Sequence, residues 1–166
     1  DVVDIGMVPT PVTYFAAYEL GTLSCVSVTG SHNPPDYNGL KMVLGGQTLF
    51  GPLIQDLKKR IDQGRLHTGT GKLRHADVRE AYLKRIVGDV KIARPMKIVV
   101  DCGNGVAGGF APELFRRMGC EVIELFCEVD GQFPNHHPDP SKPENLRAVI
   151  RVLKETDAGL GLAFDG

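Results

Sequence analysis

The sequence predicts an α/β protein in two parts, the first built on a mixed sheet and the second on a largely parallel one. Three observations carry that prediction. From about Asp77 onward, helical and extended patterns alternate, the order that builds a parallel sheet with crossover helices. In the first half, two short apolar strands flank a turn-rich loop like the arms of a hairpin and sit among helices, so that sheet mixes directions. Between the halves, Gly64 to Gly71 is polar and glycine-rich, the pattern of a linker.

Taken in order, Val2–Ile5 reads as a strand, broken by Pro9-Thr10-Pro11. Thr10 is a candidate helix cap with Pro11 in the first position, opening a helix over 12–20 that Gly21 stops. Cys25–Val28 and Leu40–Leu44 are strands, and Gly45-Gly46 is a turn. Pro52 opens an amphipathic helix through Leu53, Ile54, Leu57 and Ile61, ended by Gly64. A helix over 77–87 places Val78, Ala81, Tyr82 and Ile86 on one face, with Gly88 as its cap. Then come a strand at 97–100, a helix at 113–118 between Pro112 and Gly119, a strand at 121–126, a long loop to Pro143, a helix at 145–154 and a last strand at 160–164.

Composition narrows the function classes. With 42% hydrophobic and 23% charged residues in 166, the chain is an ordinary globular one with enough apolar material to bury a core. Lys plus Arg number 19 against 20 Asp plus Glu, a net charge of −1, so no electrostatic footprint for nucleic acid or an anionic membrane is present. No apolar run approaches the roughly 18 residues of a membrane span. There is no initiator Met or signal peptide; the chain opens inside a strand and closes on a strand and an unfinished turn, so both ends read as cut. Cys25, Cys102, Cys120 and Cys127 form no C-x-x-C pair. They read as free thiols of a cytoplasmic protein rather than as disulfides or metal ligands.

Four segments carry candidate chemistry. In Thr29-Gly30-Ser31-His32-Asn33-Pro34-Pro35-Asp36-Tyr37-Asn38-Gly39, Gly30 permits a sharp exit from the strand and close approach of a ligand to the backbone. Ser31 then stands at a strand's carboxyl end, where open α/β sheets place their ligands. Pro34 and Pro35 forbid a helix and stiffen the loop, and a stiff loop holds a nucleophile in productive geometry. The bland alternative is a rigid surface turn. A Ser31–His32 dyad is disfavoured because adjacent side chains on extended backbone diverge, and the G-x-S-x-G elbow fails at Asn33. Lys41 lies just past the turn at Asn38-Gly39, suited to phosphate charge or proton transfer.

Gly103-Asn104-Gly105-Val106-Ala107-Gly108 matches the G-x-G-x-x-G dinucleotide fingerprint, with Glu121 or Glu124 as the ribose acid. Against it, both acids fall inside the next strand; the competing explanation is close helix packing over the sheet edge. Asp165, a strand-ending carboxylate before Gly166, is a candidate hard-cation ligand or a plain turn residue. In Phe133-Pro134-Asn135-His136-His137-Pro138-Asp139-Pro140, His136, His137 and Asp139 invite zinc. Adjacent histidines diverge and no third ligand lies at useful spacing, so an ordered structural loop is the expectation.

Together these residues resemble the α-D-phosphohexomutases. Thr29-Gly30-Ser31-His32-Asn33-Pro34 looks like the family's phosphoserine loop. Val8-Pro9-Thr10-Pro11, Asn38-Gly39-Leu40-Lys41, Val99-Val100-Asp101-Cys102-Gly103-Asn104-Gly105, the 133–140 block and Gly161-Leu162-Ala163-Phe164-Asp165-Gly166 follow in family order, across essentially the whole chain. Gly30 stands where the related phosphoglucosamine mutases typically have Ala.

The resemblance implies two αβα three-layer domains with mixed or mostly parallel sheets, a partial first domain over 1–76 and most of a second over 77–166. It implies that Ser31 is the phosphorylated serine and that His32, Asn33 and Lys41 occupy active-site positions. His32 and Lys41 would serve as proton-transfer or phosphate groups, and Asn33 and Lys41 as substrate contacts. Mg²⁺ would be held by Ser31 and by Asp165, which matches the first aspartate of a D-x-D-x-D loop. The implied reaction interconverts hexose 1-phosphates and 6-phosphates through glucose 1,6-bisphosphate or mannose 1,6-bisphosphate. The partners implied are hexose phosphates and the family's domains 3 and 4, with no nucleic acid and no membrane. In that family the Gly103–Gly108 loop is not a cofactor site.

Overall fold

In the computed structural model, which describes residues 1–34 and 36–166, eight strands and five α-helices form three small sheets. The first unit begins with β1 (Val2–Asp4) and helix α1 (Thr10–Glu19), followed by β2 (Cys25–Val28), β3 (Leu40–Leu44), β4 (Gln47–Thr48) and helix α2 (Pro52–Asp62). Strands β2, β3 and β4 pair antiparallel in that order, with Val28 opposite Leu40 at the mouth of the hairpin loop. Gly45 and Gly46 both take positive φ, +57° and +80°, which closes the tight β3–β4 turn.

Helix α1 starts two residues earlier than its periodicity predicts. Pro9, not Thr10, is the capping residue, and no side chain caps the end. The Thr10 hydroxyl is therefore left for another partner. Strand β5 (Leu73–His75) pairs in parallel with β1. Nothing in its fully exposed Leu-Arg-His pattern announces a strand; the pairing with β1 creates it.

The second unit holds α3 (Arg79–Asp89), β6 (Lys97–Asp101), α4 (Ala111–Arg117), β7 (Glu121–Leu125), α5 (Arg147–Glu155) and β8 (Leu160–Ala163). Single 3-10 turns at Val106–Gly109 and Pro143–Leu146 precede α4 and α5. Helix α3 begins later than expected because the Asp77 carboxylate accepts the Arg79 N–H at 2.8 Å, a local turn that delays the helix. It also runs through Gly88, since the Val90 N–H still reaches the Ile86 carbonyl at 2.8 Å.

The sheet is parallel with order β7-β6-β8. Strand β6 is central and buried from Ile98 to Asp101, as its unbroken apolar run requires. Connections from β6 to β7 and from β7 back across to β8 run in opposite directions, so right-handed crossovers put α4 and α5 on opposite faces. All three strands then deliver their carboxyl ends, Asp101, Leu125 and Ala163, to one edge.

Two cores result. One lies within the second unit around Ile98, Val100, Cys102, Ala111 and Cys120. The other joins the units: Val12 and Ala16 of α1 pack with Val78, Leu83 and Phe110. Arg79 reinforces the neighbouring face, with its guanidinium 5.4 Å above the Phe110 ring, on the Gly109 carbonyl and 2.7 Å from Glu113. This shared core holds the hairpin loop of the first unit over the strand ends of the second.

Candidate active site

The Ser31 loop is the connection between β2 and β3. Its neck closes where the Thr29 N–H meets the Gly39 carbonyl at 2.9 Å. A Cβ on Gly30 would lie 2.7 Å from the Tyr37 carbonyl oxygen, so this glycine lets the loop fold against itself. The expected ligand approach at Gly30 is thus taken by the loop's own backbone. Asn33 tightens the same turn, its side-chain amide donating to the Gly30 carbonyl at 2.7 Å. The expected stiffening by proline falls on Pro34, whose carbonyl accepts the Tyr37 N–H, and on Pro35, which lies outside the described residues.

Ser31 sits at φ +54°, the left-handed region that side chains seldom adopt. Its N–H is held by the Thr29 hydroxyl at 2.9 Å. Such strain is tolerated where the surrounding loop fixes the residue. The Ser31 hydroxyl donates to Asp165 Oδ1 at 3.0 Å, and His32 Nδ1 meets Asp165 Oδ2 at 2.8 Å. One carboxylate at the end of β8 therefore engages two consecutive loop side chains. The left-handed turn at Ser31 is what brings neighbours that would diverge on extended backbone onto a common partner.

Lys41, opposite Ser27 on β3, extends its ammonium to the Thr10 hydroxyl at 3.4 Å. Ser31, Lys41, Thr10 and Asp165 all line one cavity of about 1020 Å³ between the units, whose apolar lining includes Val26, Val28 and Phe110. Polar groups converging on a largely apolar cavity at a domain junction are a common form of ligand site.

The carboxylate and hydroxyl oxygens of Asp165 and Ser31 are hard donors, of the kind Mg²⁺ takes. Among the described residues, no group of three or more His, Cys, Asp and Glu side chains is gathered for a metal. The two residues thus suit the ion in kind but are too few to complete a coordination shell.

The glycine loop after β6 serves packing. Residues 101–105 are buried. A Cβ on Gly103 would press on Pro138 at 3.0 Å, and one on Gly108 would fall 1.9 Å from the Cys127 carbonyl oxygen. The Asn104 amide donates to the Glu128 carbonyl and its oxygen accepts from Asn135, both at 2.8 Å. The chain itself fills the place a pyrophosphate would need, which argues against the dinucleotide reading.

The block over 133–140 is an ordered loop, as expected, but the pattern did not reveal what it does. His136 meets the Asp101 carboxylate through Nε2 at 3.1 Å. The His137 ring stands edge-on to His32, with centroids 6.1 Å apart. Asp139 has its carboxyl held below the usual range, chiefly by the Ser141 hydroxyl and in lesser part by the nearness of His32. Thr29 and Thr10, which bond Ser31 and Lys41, lie in segments that carry the family resemblance, but no local pattern singles them out for the site.

All four cysteines are free. The Cys102 and Cys127 sulfurs lie 3.4 Å apart. No helix among the described residues is long and apolar enough to cross a membrane.

A serine loop on one α/β unit, closed against a strand-end carboxylate of a second, defines an α/β scaffold with its candidate site at the junction of two domains. Comparison with known proteins gives the family. Residues 1–67 match the model for phosphoglucomutase/phosphomannomutase alpha/beta/alpha domain I, and residues 80–166 that for domain II. The chain belongs to the phosphoglucomutase/phosphomannomutase family, and it comprises two α/β/α domains of that type. It is 57% identical over 163 residues to a phosphomannomutase/phosphoglucomutase of Pseudomonas aeruginosa, covering 98% of this chain and 35% of that protein. It is 54% identical to a phosphoglucomutase of Neisseria gonorrhoeae, covering 99% of this chain and 36% of the other. A crystal structure of a phosphoglucomutase/phosphomannomutase family protein from Burkholderia thailandensis superposes with a TM-score of 0.93 at 56% identity, over 100% of this chain and 38% of that one. The chain thus spans about a third of the length of these relatives.

Proposed function

We propose that the protein containing this chain interconverts hexose 1-phosphates and 6-phosphates by way of a phosphorylated Ser31 and a hexose 1,6-bisphosphate intermediate. The carrying observation is the 3.0 Å hydrogen bond from the Ser31 hydroxyl to Asp165. A phosphoryl group on Ser31 brings close to two negative charges against that carboxylate. Such a site needs positive charge close by, and a bound Mg²⁺ would supply it, screening the phosphoserine and easing its transfer.

Each residue then has a role. Ser31 Oγ gives its phosphoryl group to a sugar-phosphate hydroxyl and later takes one back from the bisphosphate. His32, oriented through Nδ1 by Asp165, and Lys41, steadied by Thr10, are the groups placed to move the hydroxyl proton or to hold phosphate oxygens. Asn33 braces the loop and, with Lys41, contacts substrate. Ser31 and Asp165 would hold the metal. We place the division between the domains at 76/77 and the protein in the cytoplasm, with hexose phosphates as substrates and further domains of the same chain completing the cleft. On its own, the 166-residue chain is expected to turn over little or nothing.

The test is turnover of glucose 1-phosphate, with a catalytic amount of glucose 1,6-bisphosphate, by the full-length protein and its Ser31→Ala variant. Loss of at least roughly 10³-fold in the variant is expected, as for removal of a nucleophile. Activity retained within tenfold would refute the assignment. Normal turnover by the 166-residue chain alone would refute the claim that it needs the rest of the protein.

A further inference from the structure

Resting on the mutase reading above, we propose that His136, anchored by the buried Asp101 carboxylate, is a positioning residue that holds Asp165 in register with Ser31. Asp101 ends the central strand β6 with its side chain fully buried. Its carboxylate accepts the Gly103 N–H at 2.9 Å and meets His136 Nε2 at 3.1 Å. The other ring nitrogen, Nδ1, faces the His137 carbonyl at 2.9 Å. Each ring nitrogen has an oxygen within hydrogen-bond reach, and turning the ring would strip a partner from a buried carboxylate. Phe126 closes on the ring edge-on, with centroids 5.4 Å apart.

Two residues further on, the Pro138 carbonyl accepts the Gly166 N–H at 3.0 Å. The contact is tight: a Cβ on Gly166 would lie 2.5 Å from Pro138 Cγ. The peptide that joins Asp165 to Gly166 is thereby clamped, and with it the direction from which Asp165 meets Ser31. Between the latch and the clamp, His137 stands against His32. The 133–140 loop consequently touches both sides of the Ser31–Asp165 contact while its own anchor lies in the sheet of the second unit. His136 acts through Pro138 and Gly166.

The experiment uses the full-length, Ser31-phosphorylated protein, titrated calorimetrically with Mg²⁺ alone, together with kcat and KM for glucose 1-phosphate. His136→Ala is expected to weaken Mg²⁺ binding and lower kcat by about 10- to 100-fold, the range for groups that orient a metal ligand, with KM within about twofold. His136→Gln, whose amide can still donate to Asp101, is expected to recover most of both. Should the Ala variant fail to fold, the double variant His136→Leu with Asp101→Leu leaves no unpaired buried charge and is expected to show the same metal and kcat losses. Mg²⁺ affinity and kcat within twofold of wild type in any folded variant lacking the latch would overturn the proposal, as would a Gln variant as impaired as Ala. Wild-type turnover alone decides the mutase reading, whereas the metal titration needs no turnover, so the two fail separately. A wild type that turns over but binds no Mg²⁺ overturns the positioning proposal and leaves the mutase reading standing.

Discussion

The Ser31 hydroxyl rests on the Asp165 carboxylate across 3.0 Å, although 134 positions separate the two residues in the chain. Asp165 also holds His32, and the side chains of His32 and Asp165 remain 41% and 47% exposed. Exposed pairs of this kind contribute at most about 1 kcal/mol to stability. Little stability therefore rests on the contact, and Asp165→Ala should separate stability from activity. Turnover by the full-length protein is expected to fall at least roughly 100-fold, while the thermal midpoint moves by no more than a few degrees. A large drop in the midpoint with activity intact would show the contact to be structural.

Gly161 tests the packing beneath the site. A Cβ there would lie 2.4 Å from Val149 Cγ1 and 2.9 Å from Leu153 Cδ1, both on α5. Gly161→Ala is expected to destabilise by about 1–3 kcal/mol, the usual cost of overpacking, read as a lower urea midpoint. Gly159, with open space around its missing Cβ, is the control, and Gly159→Ala should stay within about 1 kcal/mol of wild type. Equal effects at the two positions would rule out a tight α5–β8 contact.

The charge network between α3 and α4 predicts an acid limit. Arg117 bonds Glu80 at 2.9 Å and also bonds Glu113, while Arg79 joins Glu113 at 2.7 Å. The Arg117 hydrogen bond is the main reason both glutamates titrate below their ordinary range. A carboxylate with a depressed folded pKa contributes stability above its unfolded pKa, near 4.5, and loses it as pH falls through the folded value. The urea midpoint should therefore decline below about pH 4.5, and less steeply in Arg117→Met. An identical pH profile in the variant would remove this network as a cause.

Thiol labelling should single out Cys127. The hydrogen bond between Cys102 and Cys127, followed by burial, pushes the Cys102 thiol far up; the same bond pulls Cys127 down. Cys25 is raised by partial burial. Since the thiolate is the reactive species, N-ethylmaleimide at pH 7.5 is expected to modify Cys127 ahead of Cys25 and Cys102, as read by peptide mass. Modification of Cys102 first would contradict the arrangement.

Much of this molecule is written locally. The apolar run at 97–101, the glycine pair at 45–46, the alternation of helix and strand after Asp77, and the turn-rich loop around Ser31 each follow from the preferences of neighbouring residues, and the structure realises them. The departures have local or long-range partners as their causes. Thr10 is no cap because Pro9 takes that place. Helix α3 is delayed by the Asp77 side chain, and β5 exists only because β1 lies alongside it.

The sequence by itself determined most of the strands, helices and loops, though not β4 or β5, and it marked Ser31, His32, Lys41 and Asp165 as candidate chemistry, because propensity and periodicity act within a few residues. Only the tertiary structure decided that Asp165 meets both Ser31 and His32, that Gly30 accommodates Tyr37 instead of a ligand, and that His136 locks onto Asp101. Those contacts depend on how two separately patterned units dock through Val12, Ala16, Leu83 and Phe110, and docking is set by the shape and burial of whole surfaces, for which no local spacing in the chain is a sign.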